Sequence, residues 1–229
     1  MLKFLGRGSA FMDENNSAYF VANNELILLD CPISAFVKLK KKDLKSYDHI
    51  YVLITHTHGD HAGGTAMLID YNYFLTGTPV TVVAPSKEVL DDLNYLFRNI
   101  EGCGRSWYEL IEGKDLNKDW YVTSIPTTHS EELKGKCFGY CLDINGTRVV
   151  YTGDTNTLDP YIPYLTEGSY LFTEVTYYDS PVHIRCGKYK DQIADIVKKG
   201  IKVYLMHLDE EEKILEIMRG TGAEPAPLD

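Results

Sequence analysis

Short apolar segments separated by polar turns run along the whole chain, and their lengths predict strands. In the first half these segments are residues 2–5, 18–22, 25–29, 50–54 and 81–84. Helices are predicted at residues 32–45, 65–74 and 87–97, the last with Ser86 as its N-cap. Residues 99–118 have no regular hydrophobic period and are predicted to be irregular.

The second half shows the same order of elements without repeating the sequence. Strands are predicted at residues 121–125, 137–144, 147–152, 170–175 and 203–206, and a helix at residues 188–199. Asn145 and Gly146 lie between two of these strands and give the strongest hairpin signal in the chain. Strands followed by helices in both halves predict an α/β fold, a layered αββα sandwich built as one domain over residues 1–229. The tail, residues 219–229, is rich in small residues, Gly and Pro and is expected to fray.

The composition excludes some classes of protein. Hydrophobic residues make up 44% of the chain and charged residues 24%, as in ordinary globular proteins. No segment approaches the roughly 20 apolar residues of a membrane span, so no membrane partner is expected. The first residues lack the apolar run and cleavage site of a secretory signal, and we therefore expect a cytoplasmic location.

Charge and cysteine content narrow the expected partners further. The formal net charge of −10 argues against long nucleic acid, because neutralising phosphates needs clustered Lys and Arg. A small anionic substrate stays compatible with this charge if bound metal ions dominate the local field. The five cysteines form no Cys-x-x-Cys pair, which favours reduced thiols over a disulfide framework. Cys103 has no histidine near it in the sequence, so a nucleophilic role there is the weaker interpretation.

One short segment carries most of the chemical information. Thr55-His56-Thr57-His58-Gly59-Asp60-His61 places three imidazoles and a carboxylate directly after the apolar strand at residues 50–54. The chain has only seven histidines, so His-x-His-x-Asp-His seldom arises by chance. Neutral imidazole and carboxylate are the ligands that zinc and similar divalent ions take at catalytic sites. The segment therefore predicts a metal site rather than a histidine-rich surface turn.

A pair of metal ions needs more ligands than this segment supplies. Three further candidates, His129, Asp154 and His207, lie just beyond predicted strands. Loops at strand ends are where a rigid scaffold holds ligands next to solvent. Taken singly, an Asp after Gly is more often a turn residue and a lone His more often structural. Together with the His-rich segment, however, they place five of the seven histidines in one scheme.

In this order and at these spacings the candidates resemble the metal signature of the metallo-β-lactamase superfamily. The likeness extends over nearly the whole chain and includes residues 5–10, Asn16-Ser17-Ala18 and Leu29-Asp30. It implies an αββα sandwich of the metallo-β-lactamase type, in which two mixed β-sheets are flanked by helices and a dimetal site lies between the sheets. By position, it implies a first metal on His56, His58 and His129, a second on Asp60, His61 and His207, and Asp154 bridging both.

The resemblance also implies the chemistry. Two divalent ions, with zinc expected and manganese or iron also compatible with these ligands, would deprotonate a bridging water and polarise the scissile group. Asp60 would be a metal ligand that also steers the proton of that water. Asp30 and the threonines beside the histidines are candidates for fixing the imidazole tautomers. A simple cap at the end of a strand is an equally good interpretation of Asp30.

The segment around Glu174 indicates one branch of the superfamily. Glu174 at a strand end, followed by His183, resembles the RNase Z-like phosphodiesterases, in which the His protonates the leaving alkoxide and the Glu orients it. The branch's Glu-Ala-Thr triplet is Glu174-Val175-Thr176 here, and the residues after His183 also differ. Between His129 and Asp154 the predicted hairpin fills most of the chain, so the long arm of tRNA-processing members does not fit. The expected substrate is a small phosphodiester such as a cyclic nucleotide.

Other functions stay open on the sequence alone. An ester, lactone or thioester hydrolase could use the same dimetal site, and it would need no dedicated acid such as His183. A non-catalytic module could keep the metals for binding or structure, although the complete ligand set argues against it. A homodimer is expected only by analogy with the phosphodiesterase branch.

Overall fold

A computed structural model describes residues 1–229 as two compact units. Unit 1 comprises Met1–Gly6, Asp13–Asn117 and Leu228–Asp229, and unit 2 comprises Arg7–Met12 and Lys118–Pro227. None of the helices combines the length and apolar character that a membrane span requires.

Unit 1 is built on a six-stranded mixed sheet whose strands lie side by side in chain order. These strands are β1 (Lys3–Gly6), β2 (Ser17–Ala22), β3 (Glu25–Leu29), β4 (His49–Leu53), β5 (Val80–Ala84) and β6 (Glu109–Glu112). β1, β2 and β3 pair antiparallel, whereas β3 to β6 pair parallel. The helices are α1 (Ile33–Leu39), α2 (Gly59–Ala62), α3 (Thr65–Tyr71) and α4 (Lys87–Tyr95).

Unit 2 contains a second six-stranded mixed sheet, again with its strands in chain order. These strands are β7 (Tyr121–Thr127), β8 (Cys137–Ile144), β9 (Thr147–Tyr151), β10 (Tyr170–Glu174), β11 (Lys202–Met206) and β12 (Glu224–Pro225). β7, β8 and β9 pair antiparallel, whereas β9 to β12 pair parallel. The helices are α5 (Cys186–Lys198) and α6 (Glu211–Met218). The two units thus share one strand order.

The apolar segments of the sequence form the cores of both units. In unit 1, residues 26–29 and 50–53 are buried without interruption, which is typical of parallel strands covered on both faces. In unit 2, α5 and α6 bury residues spaced three or four positions apart, Ile193 with Ile196 and Ile214 with Met218. These side chains belong to the same core cluster as Leu205 of β11.

The structure departs from the predicted elements in places where hydrophobic pattern is weak. Residues 99–118, predicted to be irregular, contain β6, which begins and ends with Glu and is only partly buried. The helix predicted over residues 32–45 ends at Leu39, because the lysines that follow offer no apolar side chain at helical spacing. Helix α6 and strand β12 were not predicted from the sequence.

The tail is held by hydrogen bonds to its main-chain groups, although its composition predicts fraying. β12 pairs with β11, and the Ala226 amide donates to the Leu205 carbonyl at 2.8 Å. Arg7 Nη1 donates to the Ala226 carbonyl at 2.6 Å. The Asp229 amide donates to the Phe4 carbonyl at 2.9 Å.

Candidate active site

The His-rich segment of unit 1 follows β4 and leads into α2. Leu29 of β3 lies opposite Leu53 of the parallel β4, so the residues after both strands emerge at one edge of the sheet. Asp30 comes directly after β3, and its amide donates to the Leu53 carbonyl at 2.9 Å. Asp30 has φ of 62°, in the left-handed region that Asp tolerates better than most residues. This backbone turn directs the carboxylate of Asp30 toward Thr55.

Asp30 is fully buried and fixes two neighbouring residues. Its Oδ1 accepts from the Thr55 amide at 2.8 Å, and its Oδ2 accepts from Thr55 Oγ1 at 2.9 Å. Oδ2 also lies 2.8 Å from His61 Nδ1. Burial raises the pKa of Asp30, and the contacts with His61 and Thr55 oppose that rise. A proton on His61 Nδ1 leaves the lone pair on Nε2, the form in which imidazole binds a cation.

The other side chains of the segment bring further donor atoms close together. His56 Nε2 lies 3.0 Å from His58 Nδ1, and His61 Nε2 lies 3.3 Å from Asp60 Oδ2. Thr55 Oγ1 lies 3.0 Å from His56 Nδ1. Zinc binds nitrogen at about 2.0–2.1 Å, so two ligand atoms of one tetrahedral ion lie roughly 3.3 Å apart. The His56–His58 and His61–Asp60 distances are therefore compatible with two ligand atoms bound to one divalent ion.

The remaining candidates follow strands of unit 2: His129 after β7, Asp154 after β9, Glu174 at the end of β10 and His207 after β11. β9, β10 and β11 are parallel neighbours, and Glu174 lies opposite Met206 in the register. Their carboxyl ends consequently bring these loops to one edge of the sheet. His207 has φ of 55°, a backbone conformation that is uncommon in residues other than glycine, although His adopts it more often than most. Such conformations concentrate at functional sites.

Asp154 lies at the centre of the candidates in unit 2. Its Oδ2 is 3.4 Å from His207 Nε2 and 3.8 Å from His129 Nε2. His129 Nδ1 lies 2.9 Å from the Val182 carbonyl, which can only accept, so Nδ1 carries the proton and Nε2 the lone pair. Both imidazoles thus present Nε2 toward a buried carboxylate, the donor set of a zinc-type site.

Glu174 and His183 form a hydrogen-bonded pair next to Asp154. His183 Nδ1 lies 2.9 Å from Glu174 Oε1 and 3.0 Å from Oε2, and the Thr155 amide donates to Oε1 at 2.6 Å. Burial raises the pKa of Glu174, and His183 opposes that rise. His183 Nδ1 is 4.0 Å from Asp154 Oδ2, and its ring stacks on that of His207 with centroids 5.2 Å apart. Glu174 is fully buried, whereas the His183 side chain is 23% exposed.

A cavity of about 490 Å³ opens beside His183 and His207 within unit 2. Its walls come from three loops, residues 9–12, residues 176–180 and residues 209–210. Residues 9 and 10 of the first loop belong to the segment that resembles the superfamily, but the sequence does not indicate that residues 9–12 line a cavity. The main-chain groups that hold the site, the Thr155 amide and the Val182 carbonyl, also carry no side-chain signature.

Each unit therefore assembles its own share of the predicted ligands. In unit 1 these are His56, His58, Asp60 and His61, and in unit 2 they are His129, Asp154 and His207.

Comparison with known proteins gives the family. A profile of the anti-Pycsar protein Apyc1 family matches residues 1–222. The chain belongs to this family. It is 26% identical to an anti-Pycsar protein Apyc1 from Bacillus phage BSP38, over 90% of this chain and 88% of the relative. It is also 26% identical to a UPF0173 metal-dependent hydrolase from Pyrococcus furiosus, over 61% of this chain and 59% of that protein.

Solved structures confirm the fold class. The metallo-β-lactamase fold protein YhfI from Bacillus subtilis superposes with a TM-score of 0.74 at 16% identity, covering 98% of this chain and 94% of that one. A diphosphatase of the PhnP family gives 0.71 at 16% identity, with 99% and 94% covered. Human tRNase Z, short form, gives 0.68 at 18% identity, with 92% and 93% covered. The chain thus has the metallo-β-lactamase fold, as predicted, and is related to metal-dependent hydrolases.

Proposed function

We propose that the protein is a phosphodiesterase that depends on divalent metal ions and hydrolyses a small phosphodiester such as a cyclic nucleotide. The observation that carries this proposal is the Glu174–His183 pair. A buried carboxylate holds a partly exposed imidazole, and that imidazole lies 4.0 Å from the candidate ligand Asp154. Ester hydrolysis with an alkoxide leaving group needs such an acid, whereas most metal sites that only bind ions do not.

We infer that the seven candidate ligands hold two divalent ions in the assignment that the superfamily resemblance implies. Support comes from the donor types, from spacings of 3.0–3.8 Å between donor atoms within each unit, and from the contacts that fix the tautomers of His61 and His129. When bound, the ions would supply a water activated at neutral pH and a Lewis acid for the phosphoryl group. Zinc suits these ligands, as do manganese and iron.

The residues of the chain would act as follows. Glu174 accepts a hydrogen bond from the Nδ1–H of His183 and fixes the orientation of its ring. Nε2 is then the nitrogen through which His183 gives a proton to the leaving oxygen, a contribution of about 10²- to 10⁴-fold. Asp60, beside His61, would bind metal and orient the proton of the attacking water.

The family and the net charge of the chain bear on the biological role and the substrate class that we propose. Because the chain belongs to a family named for anti-Pycsar proteins, we propose that its hydrolysis serves an anti-Pycsar role in the cytoplasm. A net charge of −10 favours a small anionic substrate held by metal ions over a long nucleic acid. The homodimer expected by analogy stays a prediction.

The test compares wild-type protein with His183→Ala, and uses His49→Ala as a matched control outside the candidate site. Each is loaded with Zn²⁺ or Mn²⁺ and assayed on cyclic nucleotides, bis-p-nitrophenyl phosphate and a panel of lactones. We expect His183→Ala to lose about 10²- to 10⁴-fold on cyclic nucleotides. The loss should be much smaller on bis-p-nitrophenyl phosphate, because p-nitrophenolate leaves without an acid.

The other outcomes are equally informative. Cyclic-nucleotide turnover that His183→Ala leaves unchanged would remove the acid role. Turnover of lactones alone would favour the ester, lactone or thioester hydrolase that uses the same metal site. Tight metal binding without turnover of any substrate would favour a non-catalytic metal-binding module.

A further inference from the structure

The cavity beside His183 and His207 has an apolar and aromatic lining from Phe11, Met12 and Tyr178. Asp209 and Glu210 form an acidic wall that adjoins this lining, since the Tyr178 hydroxyl donates to Glu210 Oε1. Its volume of about 490 Å³ lies within the range of small-molecule sites. We propose that this cavity binds the nucleobase of the substrate, with Phe11 and Tyr178 as stacking residues and Glu210 facing the donor edge of the base. This assignment rests on the proposed phosphodiesterase function.

Phe11 is an exposed aromatic side chain on a loop that is nevertheless anchored. Its side chain is 100% exposed. On either side of it, the Met12 amide donates to the Ser9 carbonyl at 3.1 Å and the Ser9 amide donates to the Leu208 carbonyl at 3.0 Å. The Leu208 amide donates in turn to the Arg7 carbonyl at 2.8 Å. These bonds tie the loop to the residue after His207, so Phe11 stands at the cavity with an uncovered ring that a planar ligand can contact.

Tyr178 forms the second aromatic surface and is held in place. Its hydroxyl donates to Glu210 Oε1 at 2.7 Å, and its amide donates to Thr176 Oγ1 at 3.2 Å. The ring meets that of Tyr177 edge to face, with centroids 5.4 Å apart. With 54% of the residue exposed, Tyr178 keeps an accessible face although its orientation is fixed. A fixed aromatic ring binds a base with little further loss of side-chain entropy.

The acidic wall determines which ligand chemistry the cavity accepts. The Asp209 carboxylate is used internally, because it accepts from the Tyr177 amide at 2.9 Å, from the Glu210 amide at 2.7 Å and from the Thr176 hydroxyl. Glu210 accepts from Tyr178 and lies 3.2 Å from Lys213 Nζ, and no Lys or Arg lines the cavity. Such a wall attracts N–H donors and repels additional phosphate. The ligand class is therefore one uncharged nucleoside group without a further phosphate.

Binding of phosphate-free nucleosides to metal-free protein tests this assignment separately from catalysis. Cytidine and adenosine would be titrated by NMR into wild type, Phe11→Ala and Tyr178→Ala, with Phe74→Ala as a matched control. Phe74 is also an exposed phenylalanine but does not line the cavity. We expect Kd to rise at least about fivefold in the two cavity variants, the lower end of the range for base stacking, and to stay unchanged in Phe74→Ala. A nucleoside 5′-monophosphate should bind more weakly than the nucleoside, and Glu210→Gln should reduce that difference.

The outcomes separate the two proposals. If nucleosides fail to bind at millimolar concentration, or bind Phe11→Ala as well as wild type, the base site is overturned even when the enzyme hydrolyses phosphodiesters. If binding depends on Phe11 and Tyr178 but no phosphodiester is hydrolysed, the base site stands and the proposed reaction fails. Melting curves check that each variant is folded, and full exposure of Phe11 makes its replacement the safest of the set.

Discussion

Replacing Asp30 by Asn tests whether the buried carboxylate sets the tautomer of His61, a candidate metal ligand. Asn has the same shape and tolerates the left-handed backbone at this position, where φ is 62°. Its amide oxygen can still accept from the Thr55 amide, and its NH₂ can donate to the Thr55 hydroxyl. That NH₂ group, however, faces His61 Nδ1, which the structure places 2.8 Å from Asp30 Oδ2. His61 must then accept at Nδ1 and carry its proton on Nε2, the nitrogen assigned to the metal.

The two expected effects differ in size. Exchanging charge-assisted hydrogen bonds for neutral ones removes about 1–2 kcal/mol of stability, and relief from burying a carboxylate partly offsets that loss. Metal affinity should fall by about 10- to 100-fold, the usual effect of altering a residue that orients a ligand. The variant is thus expected to fold almost as well as wild type and to bind metal poorly.

Urea denaturation in the presence of chelator measures the first effect, and competition for Zn²⁺ against a chromophoric chelator measures the second. Asp91→Asn is a suitable control, because Asp91 is exposed and pairs only with Lys87 four residues earlier on α4. If Asp30→Asn binds Zn²⁺ as tightly as the control, Asp30 does not fix the tautomer of His61. It would then be only a cap at the end of β3.

Three further outcomes follow from the structure. Glu174→Gln should lower kcat on cyclic nucleotides about 100-fold with little change in KM, because it disturbs the orientation of His183; a change confined to KM in steady-state assays would contradict this. Removing metal with EDTA should lower the urea midpoint, since an ion at 100 times its Kd adds about 2.7 kcal/mol; an unchanged midpoint would count against the ligand assignment. All five cysteines are buried, and burial raises the pKa of Cys103 to about 11. Iodoacetamide at pH 8 should therefore label the unfolded chain but not the folded protein, as mass spectrometry can show.

The sequence predicts the parts of the fold whose residues are buried together. The central strands β3 and β4 each contain four consecutive apolar residues, at positions 26–29 and 50–53, so their positions follow from composition and length. β6 was missed because its residues, Glu109–Glu112, lie only partly buried at the edge of the sheet, where side chains need not be apolar. Strand order could be anticipated only through the superfamily resemblance.

The candidate ligands were recognised from the sequence, whereas their surroundings were not. His56, His58, Asp60 and His61 share one segment, and residue type alone indicates their chemistry. The cavity instead depends on the pairing of Gly8 with Leu208, which brings the loop carrying Phe11 to the residues that follow β11. No local sequence pattern predicts a contact between residues so far apart in the chain. The groups that hold His129 and Glu174 are partly main-chain atoms, which any residue would provide.

Both units place a left-handed residue at the carboxyl end of a parallel strand, Asp30 after β3 and His207 after β11. Such a conformation costs a residue other than glycine about 1–3 kcal/mol, and glycine would adopt it without that strain. Asp30 and His207 nevertheless have side chains that reach, respectively, the imidazole of His61 and the carboxylate of Asp154. The contact that the side chain makes, rather than the ease of adopting this backbone conformation, therefore explains why Asp and His occupy these positions. Backbone strain at these two strand ends is the structural consequence of directing a specific side-chain atom toward a candidate metal ligand.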